Sequence, residues 1–133
     1  MRMILVVLAA LGLLLFGCAG QAPVKDCGTD DKCFQDAIST CTPAKAVKTD
    51  QSGTYNGLVK GYQGDKCVIN MKIVESSVPI LKDKEMTCNI PKDKLSGFSG
   101  GGSAIGGGED VFSMCSGSLV DLMKSLGVAG GAK

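Results

Sequence analysis

The hydrophobic pattern changes period several times along the chain. From Met3 to Phe16 apolar residues run unbroken behind a single charge, Arg2, and the run stops at "GCAGQAPVKD". A membrane span needs about 20 apolar residues, so this stretch is short for one. A charged start, an apolar core and small residues at the end make the layout of a secretory signal. Further on, Cys33, Phe34, Ala37, Ile38 and Cys41 recur at helical spacing. Thr29 or Asp30 can cap that helix, with acids in its first turn. Thr42-Pro43 ends it, because a residue before proline avoids the helical region.

From Ala44 the period becomes two. "AKAVKTD" and "GTYNGLVKGY" are candidate strands, the second weakened by its two glycines, and Gly64-Asp65 supplies a tight hairpin turn. The strongest strand is "KCVINMKIVE", in which Cys67, Ile69, Met71 and Ile73 face one way. "SSVPILKDKE" reads as a loop turning around Lys82-Asp83-Lys84, and "EMTCNI" as a further strand stopped by Pro91. "SGFSGGGSAIGGGED" is glycine-rich and expected to be flexible. Leu119, Leu122, Met123 and Leu126 then form the stripe of a last helix, capped by Ser116 or Ser118 and ended at Gly127.

The fold expected from this order is α+β: a small antiparallel sheet of three to four strands, flanked by an N-terminal and a C-terminal helix and stapled by three disulfides. The boundaries follow: residues 1–17 a signal peptide, 18–26 a tether, 27–127 the domain with its glycine-rich loop at 96–110, and 128–133 a tail.

Seven cysteines sharpen this picture. Six of them, Cys27, Cys33, Cys41, Cys67, Cys88 and Cys115, lie in the domain, and an even number in an exported chain reads as a disulfide framework. The pairing stays open among 15 formal connectivities, except that Cys33 and Cys41, about 12 Å apart on one helix, are too distant to join each other. At least one of the strand cysteines, Cys67 and Cys88, is expected to tie the sheet to the first helix. Cys115 is expected to pin the last helix to the body.

The seventh cysteine closes the apolar run. Leu15-Phe16-Gly17-Cys18 resembles the lipobox of bacterial lipoproteins: an aliphatic residue three before the cysteine, a small residue directly before it, then the cysteine. Phe16 stands where that family usually has a small residue. The resemblance implies that Cys18 receives a diacylglyceryl group, becomes the first residue of the mature chain, and anchors it outside the cytoplasm. Ala19 in place of an acid implies no retention at the inner membrane in two-membrane cells. Ordinary signal cleavage, leaving a soluble secreted domain, is the competing reading. The cysteine arrangement from Cys27 to Leu126 also looks like that of small exported cysteine-rich domains of prokaryotes with uncharacterised function, a likeness that implies no activity.

Charge and composition argue mainly by exclusion. Removal of residues 1–17 leaves thirteen lysines against thirteen acids, interleaved rather than clustered, so nucleic acid is not an expected partner. The chain has no histidine, which removes Ser-His-Asp and Cys-His catalysis. No cysteine pair has zinc-knuckle or C-x-x-C spacing, so neither a metal site nor a redox site is expected. "GGGSAIGGGED" lacks the lysine of a phosphate-binding loop. The pairs Asp30-Asp31 and Glu109-Asp110 read as helix capping and a solvated loop end. No catalytic residue and no cofactor is therefore assigned. The expected function is a membrane-anchored, non-enzymatic binding or envelope-structural module, with a small envelope enzyme or enzyme inhibitor as the alternative.

Overall fold

A computed structural model describes residues 22–98 and 113–127. Helix α1 spans Asp31–Thr40. Asp30 caps it, its Oδ1 accepting from the Cys33 amide at 3.0 Å, while Asp31 adds negative charge to the first turn where the dipole favours it. The helix stops one residue earlier than the proline requires, at Cys41, which adopts a left-handed conformation with φ of 52°. The amides of Cys41 and Thr42 then close back on the carbonyls of Ile38 and Ala37.

The strands are β1 (Lys25–Asp26), β2 (Ala44–Asp50), β3 (Gly53–Gln63), β4 (Lys66–Ser76), β5 (Glu85–Pro91) and β6 (Cys115–Ser116). They form one sheet in chain order. The sheet therefore has six strands rather than three to four, and it is mixed rather than wholly antiparallel. β1 lies parallel to β2, because helix α1 carries the chain back between them, and the remaining pairs are antiparallel. β1 and β6 are two residues long, too short to show any period; β1 ends beside the disulfide cysteine Cys27 and β6 contains Cys115.

Within β3 both glycines have structural reasons. Gly57 leaves room for the Phe34 ring: a Cβ there would stand 2.5 Å from Phe34 Cζ. Gly61, with φ of +93°, follows a bulge at which Val59 pairs with Ile69 and Gly61 with Val68. The β3–β4 turn is Gly64-Asp65, with the positive φ on the glycine, as a primed two-residue hairpin requires.

The register puts Ala44, Val59, Ile69 and Cys88 in one cross-strand row, with Cys67 and Ile90 paired beyond it. This face carries the main core, completed by Ile38 of α1, Leu95 of α2 (Leu95–Phe98), and Leu119, Val120 and Met123 of α3 (Ser118–Ser125). Ser96, Gly97 and Phe98, assigned to a loop from sequence, belong to α2, and residues 99–110 lie outside the described residues. The cap of α3 also differs from expectation. Its N-cap is Gly117, without a side-chain bond. Ser118 instead accepts from the Glu85 amide at 3.1 Å and joins the helix start to β5, while Ser116 sits in β6. Gly127 follows the helix with φ of +71°, and its amide reaches the Lys124 carbonyl.

Three disulfides cross this architecture: Cys27–Cys33, Cys41–Cys67 and Cys88–Cys115. Cys33 and Cys41 have different partners, as their helical separation demands. Cys41–Cys67 bolts the end of α1 to β4, and Cys88–Cys115 holds β6 and the start of α3 against β5.

Candidate functional site

All three helices contribute to the core on one face of the sheet, and among the described residues the other face is lined by strand side chains. The cross-strand row Lys45–Leu58–Asn70–Thr87–Ser116 crosses it from edge to edge, and Val47–Asn56–Lys72–Glu85 forms the next row. These are the polar partners of the same alternation that buries the core. Lys45, Val47, Asn56, Leu58, Asn70 and Lys72 line a shallow groove of about 390 Å³.

The groove's polar groups are held in place by their neighbours. Asn70 Nδ2 donates to Thr87 Oγ1 at 3.0 Å and to the Met86 carbonyl at 3.3 Å. Lys45 Nζ stands 3.0 Å from Asp26 Oδ2, and both are well exposed. The Lys45 hydrogen bond, helped by the Gly28 amide at 2.9 Å, holds the Asp26 carboxyl below its ordinary range. Lys48 reaches Asp31 at 3.4 Å and ties β2 to α1. Such a face can offer a ligand amide and ammonium hydrogen bonds around an apolar centre at Leu58.

A second groove, of about 570 Å³, lies at the end of the sheet where the chain enters, between Ala22 and Val24 on one side and Pro43, Gly61, Tyr62 and Gln63 on the other. At the opposite end Val78 and Ile80 project from the Pro79–Leu81 turn, 47% and 54% exposed.

No protein-family model, curated protein or solved structure matches this chain. Its functional reading therefore rests on its own residues. The six domain cysteines named from sequence come together as three disulfides, and Cys18 lies outside the described residues. Among the described residues no three metal-ligating side chains converge, and no helix is long and apolar enough to cross a membrane. The groove on the open face was not anticipated. Its signal was present in the alternation of Lys45-Val47 and Asn70-Lys72, but a polar face becomes a surface only once the helices are known to share the other side.

Proposed function

We propose that this protein is an extracytoplasmic lipoprotein, anchored through Cys18, whose domain acts as a non-enzymatic binding or envelope-structural module. The observation that carries the reading is the cysteine arithmetic. Six of the seven cysteines are paired within the domain, and the seventh stands outside that framework, at the end of an apolar run and directly after a small residue. A disulfide framework of this density belongs to an oxidising compartment, where a lipobox cysteine is used for acylation. The open sheet face, with its fixed amide and lysine groups, is the surface such a module would offer to a partner.

Intact mass of the protein from the membrane fraction, alkylated without reduction, tests this directly. A chain beginning at Cys18 with a diacylglyceryl-sized addition and no alkylated thiol is the expected result. A chain cut elsewhere and free of lipid would make it a soluble secreted domain. Cys18→Ser should move the protein out of the membrane fraction while leaving the three disulfides intact.

A further inference from the structure

The two ends of the sheet differ in charge. At the end where the chain enters, the β3–β4 hairpin and the turn after β5 bear Lys60, Lys66, Lys92 and Lys94, with Lys25 at the start of β1, against Asp65 and Asp93. All seven are exposed. At the far end Asp50, Glu75, Asp83 and Glu85 are matched in number by Lys48, Lys72, Lys82 and Lys84. The balanced total of the mature chain thus conceals a surplus of lysine at one pole.

The chain enters at the basic pole. Ala22 and Val24 share a groove with Lys60, Tyr62 and Gln63. Four residue steps separate Ala22 from Cys18, a reach of at most about 14 Å. The far pole is removed by the eleven residues of β3, about 36 Å at the rise of a strand. Screening confines electrostatic attraction to about 8 Å at physiological salt. An anchor at Cys18 can therefore bring the basic pole within range of a lipid surface with the far pole held clear of it. The same pole exposes Tyr62 (42%) and Val24 (50%), an aromatic and an apolar side chain of the kind that settles at the headgroup level.

Resting on the lipoprotein reading, we propose that the basic pole is a second membrane contact: Lys60, Lys66 and Lys92 lie on anionic phospholipid headgroups with Tyr62 at the interface. The domain then stands with its strands steep to the membrane, its open face accessible from the side and the Val78–Ile80 turn pointing away. An acyl anchor combined with a basic patch holds more firmly than either alone.

The chain contains no tryptophan, so Tyr62→Trp and Ile80→Trp each create a single fluorescent reporter, one per pole. The experiment uses the full-length protein processed in cells, its Cys18 lipid verified by mass. It is placed in vesicles of about 7:3 phosphatidylcholine and phosphatidylglycerol, with acyl chains brominated near the headgroup. Quenching of the Tyr62→Trp reporter by about twofold or more, with little at Ile80→Trp, is expected. Adding Lys60→Glu, Lys66→Glu and Lys92→Glu to the Tyr62→Trp chain should abolish most of the quenching. Equal quenching at both poles, or stronger quenching at Ile80→Trp, would overturn the proposal and leave the lipoprotein reading standing, as would quenching indifferent to the three glutamates. A mass without lipid would remove both.

Discussion

At the scale of single residues, Gly57 and Phe34 decide how closely α1 approaches the sheet. The ring occupies the space a side chain at position 57 would need. Gly57→Val should destabilise the domain by about 1–3 kcal/mol through overpacking. Combined with Phe34→Ala it should cost less than the two separate losses added, because the clash vanishes with the ring. Chemical denaturation of the four proteins in that cycle checks this. Asp26 makes a second case. Its folded pKa is lowered by Lys45, so its contribution is present above the ordinary carboxylate value of 3.8 and is lost as pH falls through the lowered one. Lys45→Met should move the Asp26 carboxyl resonance midpoint back up toward 3.8 in an NMR titration.

At the scale of elements, the disulfides are unequal. Cys41–Cys67 and Cys88–Cys115 close loops of 26 and 27 residues, whereas Cys27–Cys33 closes one of 6. By chain entropy the long loops are each worth about 3.5 kcal/mol and the short one about 2 kcal/mol. Replacing Cys41 and Cys67 together by alanine should therefore lower Tm more than replacing Cys27 and Cys33, the more so because Cys41 and Cys67 are buried in the core. Thermal melts followed by circular dichroism give the order. The Cys41–Cys67 bond also holds α1 where Cys41 turns left-handed, so its loss should loosen that helix end before the sheet.

At the scale of the whole molecule, the staples stand in for a core of modest size built on one face of one sheet. Their summed effect, about 9 kcal/mol on the same basis, is comparable to the 5–15 kcal/mol that typically stabilises a domain. Reductant should therefore abolish the cooperative melt at 37 °C and not merely shift it, as far-UV circular dichroism with and without dithiothreitol would show. The reduced chain is the state a reducing compartment would maintain. Charge at this scale is equally a property of the assembled sheet. Neither the "KDK" at Lys82–Lys84 nor the one at Lys92–Lys94 differs from the other as sequence, yet they lie at opposite poles.

Much was legible in the order of residues because it is local. Alternation over Ala44–Asp50 and Lys66–Ser76 forces one side of each strand inward, and Asp30 ahead of a helical stripe caps it wherever the helix sits. The parity of the cysteines and the distance along α1 excluded a Cys33–Cys41 bond without reference to any partner. What only the tertiary structure decided depends on contacts between distant segments. β1 and β6 are strands because Ala44 and Cys88 offer them an edge, and two residues carry no period of their own. Gly117, and not a serine, caps α3 because the chain must turn tightly there beneath Glu85. The disulfide partners, the open face and the basic pole share one cause. Each is set by which strand lies beside which, and hydrogen bonding between strands is blind to their separation in sequence.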